Sequence, residues 1–149
     1  MPSFSETKIL NYTARQVYDL VIDVERYPEF VPWCSKCRII ETNESDIIAE
    51  LEVKFGPFNK SYISKISHGH IDDAYFINIS QISGPFENLD TKWKFEKNGK
   101  FSTKIYFSIN FNFSSKILSK MISSVFELAT KDMVNAFEDR AKEIYGNNQ

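Results

Sequence analysis

The sequence predicts an α+β chain: a curved antiparallel sheet of six to seven strands, short helices after the first strand, and a long C-terminal helix. Two observations carry the prediction. Over residues 36–113, apolar and polar residues alternate in runs separated by clusters of Gly, Pro, Asn and Asp, whereas over 118–144 apolar residues return at steps of three and four. The 149 residues are 42% hydrophobic and show no linker, repeat or low-complexity tract, so residues 1–149 read as one domain.

Residues 4–10 read as the first strand. Thr13 and Gln16 then form a T-x-x-Q capping box, with Tyr12 and Val17 spaced as a hydrophobic staple, so a helix starts at Ala14. Val17, Leu20, Val21 and Val24 share one face, and Pro28 disfavours helical geometry at Tyr27, which predicts an end near Glu25. Turn signals follow at 43–46, Gly56-Pro57, 69–73, Gly84-Pro85 and Asn98-Gly99, giving an antiparallel meander. Ile47, Ala49, Leu51, Val53 and Phe55 make one dry face, as do Leu89, Thr91, Trp93 and Phe95. In the last strand Phe101, Thr103, Ile105, Phe107, Ile109, Phe111 and Phe113 oppose Ser102, Lys104, Tyr106, Ser108, Asn110 and Asn112. Asn98-Gly99 is the pair that a type I′ two-residue hairpin prefers. Ser115 caps the final helix, whose apolar stripe includes Leu118, Met121, Ile122, Val125, Phe126, Ala129, Met133, Phe137 and Ala141 and ends at Gly146. About thirty residues rising 1.5 Å each span ~45 Å, longer than the strands, so the sheet has to curve around the helix.

Eighteen Lys and Arg against 20 Asp and Glu leave a net charge of -2, the wrong sign for holding nucleic acid by general phosphate attraction, and no DNA partner is expected. A local basic patch stays open. No run approaches the ~18 consecutive apolar residues of a spanning helix, and residues 1–6 lack the basic and apolar parts of a signal peptide. The expectation is a cytoplasmic protein, at most peripheral at the inner face of the membrane. Two cysteines make no disulfide framework, so reduced thiols are expected. The unusual feature is aromatic content, 13 Phe, 7 Tyr and 2 Trp, each with ~150–250 Å² of surface to hide or use.

Cys34-Ser35-Lys36-Cys37 and His68-Gly69-His70 supply four metal-ligating side chains, but nothing in the sequence brings the two segments together, and no metal site is assigned. Cys37 leads into a strand pattern rather than a helix N-terminus, which argues against a redox thiol. There is no G-x-S-x-G elbow and no phosphate-binding glycine loop. Glu50, Glu52, Asp90 and Glu96 fall on the wet phase of their strands, so the dry faces hold little that moves a proton. No catalytic residue is assigned and the chain is read as non-enzymatic. Lys92, Lys94, Lys97, Lys100 and Lys104 gather on the wet side of one hairpin, as a surface for RNA or anionic head groups or as an ordinary solvated face. Periodicity alone leaves Trp93, Phe95, Phe107 and Phe111 equally open as filled core or as the wall of a ligand cavity.

The block Tyr27-Pro28-Glu29-Phe30-Val31-Pro32-Trp33-Cys34 resembles the Y-P-x-F-x-P-x-C signature of the coenzyme Q-binding START-like family (polyketide cyclase/dehydrase-like), which also includes the bacterial ribosome-association toxin. Asp23-Val24-Glu25-Arg26 before it, Gly84-Pro85-Phe86 with Leu89, Trp93 and Phe95, and Val125-Phe126 through Arg140-Ala141 resemble three further family segments. The family often has Gly where Asp90, Thr91 or Lys92 stands here, and Cys37, His68 and His70 match nothing in its pattern. The resemblance implies a helix-grip fold with an apolar cavity for ubiquinone or a similar isoprenoid lipid, bound as ligand with no cofactor required. It places Phe30 and Val31 at the mouth, Trp93 and Phe95 on the sheet, and Val125, Phe126 and Ala129 on the helix; position alone adds Trp33 at the mouth, Phe107 and Phe111 on the sheet, and Met121 on the helix. The implied function is non-enzymatic binding and delivery of that lipid in support of respiratory electron transport. Membrane contact would be transient, through Ile117, Leu118 and Met121 beside Lys116 and Lys120. The alternative is a factor that binds the large ribosomal subunit and impedes subunit joining.

Overall fold

A computed structural model describes residues 3–55, 58–117, 119–120, 128–129 and 131–146. Seven strands, β1 (Ser3–Leu10), β2 (Cys34–Thr42), β3 (Asp46–Phe55), β4 (Phe58–Ile71), β5 (Ala74–Ser83), β6 (Phe86–Gly99) and β7 (Ser102–Phe113), form one antiparallel sheet. Its order is β1-β7-β6-β5-β4-β3-β2, a meander whose last strand also pairs with the first. Two helices, α1 (Ala14–Ile22) and α2 (Met133–Tyr145), complete the described elements together with a 3₁₀ turn at Val24–Glu29. This is the expected sheet, C-terminal helix and pair of short helices after the first strand.

The Thr13 hydroxyl accepts from the Gln16 amide at 3.1 Å, and the Gln16 side chain accepts from the Thr13 amide at 2.9 Å, so the capping box is complete. Ala14, Val17, Leu20 and Val21 are buried beneath α1. The chain does not leave helical geometry near Glu25 as expected. A 3₁₀ turn carries it through Pro28 to Glu29, held by Arg26 N to Asp23 O and Phe30 N to Tyr27 O, neither of which needs a donor at Pro28.

Strand alternation is as expected in β7, where Thr103, Ile105, Phe107, Ile109, Phe111 and Phe113 are all buried. The hairpin before it is not. β6 continues through Gly99, which pairs with Ser102, and the two-residue loop is Lys100-Phe101. Neither Asn98 nor Gly99 has positive φ, so no type I′ turn forms there. A register shift between Lys97 and Gly99 absorbs the extra residue, and Phe101 turns outward with 59% of its surface exposed. Gly84 does need its freedom, with φ at +151° between β5 and β6. There the Gln81 side chain donates to Phe86 O at 2.7 Å and accepts from Phe86 N at 3.1 Å, clamping the turn.

The final helical region opens at Lys116, directly after Ser115, and Leu128, Ala129 and Lys131 are also helical. Asp132 is a turn residue with φ -89° and ψ 0°, so α2 begins afresh at Met133 instead of continuing one uniform helix. Gly146 closes α2 with φ +76° and its amide on Lys142 O at 2.9 Å. The chain end is tied back to α1, where Tyr145 donates to Gln16 O at 2.9 Å and Tyr12 donates to Gly146 O at 2.7 Å. Phe137 of α2 meets Trp93 edge-on at 5.3 Å, so the core lies between the helices and one face of the sheet.

Candidate functional site

The signature segment is built into the junction between the 3₁₀ turn and α2. Tyr27 is fully buried and donates its hydroxyl to Val21 O, and burial holds its phenol well above the ordinary range. The Tyr27 and Phe30 rings both meet Phe137 edge-on, at 5.3 and 5.1 Å. The Arg140 guanidinium sits 5.0 Å over the Phe30 ring and donates to Glu29 at 2.7 Å and Glu143 at 2.8 Å. Hydrogen bonds from Arg140 and then Arg26 hold the Glu29 carboxyl below its usual range. The segment therefore clasps the C-terminal helix.

Behind this clasp a cavity of about 30 Å³ lies between sheet and helix. Trp33, Trp93, Tyr27, Tyr62, Ser64 and Thr91 contribute to its lining, with apolar residues from β3, β6, β7 and α2 around them. Ser64 is fully buried and its hydroxyl has no hydrogen-bond partner among the described residues. Burial pushes the Tyr62 phenol far up, so it stays protonated. The described lining thus offers hydroxyls and ring faces but no carboxylate, amine or imidazole. Such a wall can orient a guest; it has no group that exchanges a proton near neutral pH.

The expected ligand-binding residues divide into three groups. Trp33 and Trp93 line the cavity. Val31, Phe95, Phe107 and Phe111 are buried in the surrounding core, where Trp93 packs on Phe107 at 4.4 Å and on Phe95 at 5.8 Å, while Phe30 is half-buried on α2 and Ala129 is half-buried. Met121, Val125 and Phe126, with Leu118, lie outside the described residues. Sequence reasoning missed Ser64, Thr91 and Tyr62 as polar wall. Thr91 was visible as the one hydroxyl in the dry phase of its strand, but Ser64 gains meaning only once β4 is seen to cross the cavity.

The remaining candidate groups have structural partners. Tyr18 shares a 2.7 Å hydrogen bond with His68 Nδ1, and His70 stacks on Tyr75 at 4.3 Å, so β4 runs straight through both histidines and faces them toward α1. Cys34 and Cys37 sit on β2, two strands from β4, and burial pushes both thiols up to about 12. Ile117 is 71% exposed beside exposed Lys116 and Lys120. No helix among the described residues is long and apolar enough to cross a membrane.

Comparison with known proteins gives four findings. A sequence profile described as polyketide cyclase / dehydrase and lipid transport matches residues 10–138. The ribosome association toxin RatA of Rickettsia prowazekii is 42% identical over 145 residues, covering 97% of this chain and 99% of that protein. The mitochondrial coenzyme Q-binding protein COQ10 homolog B of Xenopus laevis is 35% identical over 147 residues, covering 96% of this chain and 59% of that protein. In fold alone, a START superfamily protein from Mycobacterium smegmatis superimposes with a TM-score of 0.79 at 17% identity, covering 95% of this chain and 98% of the other.

Proposed function

The chain belongs to the polyketide cyclase / dehydrase and lipid transport family, and on that premise we propose that it acts by binding, without catalysis, as a factor that associates with the large ribosomal subunit and impedes subunit joining. The observation that carries this reading is the interior. A cavity of about 30 Å³ holds little more than one water, whereas small-molecule sites usually run from ~300 Å³ upward. Among the described residues, rings such as Trp93, Phe107 and Phe137 pack closely between sheet and helix, which favours action through the surface. The end-to-end likeness to a protein named a ribosome association toxin supports the ribosome as partner. The test is sedimentation of purified ribosomal subunits with the protein added. Co-migration with the large subunit and a fall in joined ribosomes are expected; free protein at the top of the gradient with normal joining refutes the reading.

A second reading has its own support. The Ser64 hydroxyl, without a partner among the described residues, stands in the wall with the hydroxyls of Thr91 and Tyr62, and the COQ10 relative is named for binding coenzyme Q. On this reading an isoprenoid quinone places its head against Ser64 and Thr91 and enlarges the cavity on entry. Mass spectrometry of organic extracts and the melting temperature with added ubiquinone test it. Absence of both a co-purified lipid and a thermal shift would end it.

A further inference from the structure

The face of the sheet turned away from the helices has an order that follows from strand register. Thr7, Tyr106, Lys94, Phe76 and Gly69 stand in one row across five strands, and Ser5, Ser108, Lys92, Asn78 and Ser67 stand in the next. Ile9, Lys104 and Glu96 begin a third on the other side of Tyr106. Rows two residues apart are separated by ~6.8 Å, and neighbouring strands by ~4.8 Å. An open groove of about 810 Å³ runs over the first two rows.

The chemistry of these rows is cations beside ring faces. Lys94 Nζ lies 5.5 Å and Lys104 Nζ 5.2 Å from the Tyr106 ring centroid. At the end of the same hairpin, Lys100 Nζ lies 5.5 Å from the exposed ring of Phe101. The Phe76 ring lies over Gly69, where a Cβ would come within 2.9 Å of it, so the missing side chain is what lets the ring settle there. Residues 92–104 hold five lysines and one glutamate in a chain of net charge -2. Lys92 faces Asp90 at 4.0 Å and Lys94 faces Glu96 at 3.3 Å, exposed pairs of the kind worth little in water and readily exchanged for a phosphate. Lys97, Lys100 and Lys104 have no carboxylate in ion-pair range among the described residues. Around the rings stand hydroxyls and an amide, and the groove's lining also includes Ile71, Ala74 and the carboxylates of Glu6, Asp72, Asp73 and Glu96.

We propose that this outer face is a binding site for single-stranded RNA, with Tyr106 and Phe76 as stacking platforms for bases and Lys92, Lys94 and Lys104 as phosphate contacts. Paired rings and ammonium groups along one groove are what unstacked strands require, while Ser5, Thr7, Asn78 and Ser108 suit base edges and 2′-hydroxyls. The proposal rests on the ribosome-associating reading and names the component touched: exposed unpaired ribosomal RNA.

The test uses the full chain, a labelled oligouridine followed by anisotropy across a salt series, and sedimentation with large subunits. The variants are Tyr106→Ala and the triple Lys92→Ala/Lys94→Ala/Lys104→Ala, with Lys36→Ala/Lys54→Ala/Lys60→Ala as a charge-matched control elsewhere on the sheet. All sites are half-buried or exposed, and unchanged melting verifies folding. Loss of one stacking platform should weaken oligouridine binding on the order of tenfold. Loss of three phosphate contacts should lower the salt slope by about 2. The control should keep wild-type affinity, and both test variants should leave the large subunit. If wild type sediments with the subunit and the folded variants do so equally, the site is wrong while the ribosome reading stands. If wild type leaves the subunit but binds oligouridine through these residues, the site stands while that reading fails. Equal weakening by the control, or binding to anionic phosphatidylserine vesicles in place of oligouridine, overturns the site.

Discussion

Phe30 was expected at the mouth of a ligand cavity, and the structure packs it against Phe137 and under Arg140 instead of along the cavity wall. A double-mutant cycle separates the two roles. Phe137 is 1% exposed and meets Tyr27, Phe30 and Trp93 edge-on, so Phe137→Ala should cost about 3–5 kcal/mol. Phe30→Ala removes a half-buried ring and should cost about 2 kcal/mol. The edge-to-face contact itself contributes about 1 kcal/mol. The double variant should therefore lose about 1 kcal/mol less than the sum of the two single losses. At roughly 2–4 °C per kcal/mol for a domain of this size, Phe137→Ala lowers Tm by about 6–20 °C. Urea titration followed by circular dichroism gives all four corners of the cycle. Additivity within about 0.3 kcal/mol would mean that the clasp is not an energetic unit, and the structural account of the signature would fall.

Two other perturbations read the same architecture. A Cβ at Gly84 would run into Tyr62 Cβ and Gln81 Oε1 at a φ of +151°, so Gly84→Ala should destabilise by about 2–5 kcal/mol; a melting curve superimposable on wild type would refute this. Burial lifts the Cys34 and Cys37 thiols from 9.0 to about 12, so iodoacetamide at pH 8 should label buried Cys34 only as fast as the chain opens and half-buried Cys37 slowly, through its small thiolate fraction. With folded values raised, their contribution to stability is complete below about 9 and is lost between about 9 and 12 as pH rises. Rapid stoichiometric labelling of the folded chain at pH 8 would show the thiols to be accessible.

Elements whose cause is local were legible. Thr13 and Gln16 are three residues apart and made both capping bonds, and β7 alternates because one of its faces is dry throughout. Asn98-Gly99 failed for a tertiary reason: pairing of β6 with β7 extended one step past the preferred turn, and the Lys100-Phe101 loop took its place. Arg140 lies 111 positions from Glu29 along the chain, so its clasp on Glu29 and Phe30 has no local signal. The tyrosine and phenylalanine of the outer rows were visible only as wet-phase residues; it is register across five strands that aligns them with lysines.

The pairing of β1 with β7 sets the order in which the sheet is completed. Ser3 lies opposite Asn110 and Leu10 opposite Thr103, whereas every other ladder joins neighbours in the chain. As the polypeptide leaves the tunnel, the six strands from β2 to β7 zip in sequence, and the first segment synthesised waits for the last strand before it finds a partner. Until then β1 and the last strand already formed are open edges on which another nascent copy can add a strand, so slow translation of the stretch preceding β7 prolongs the interval in which intermolecular pairing competes.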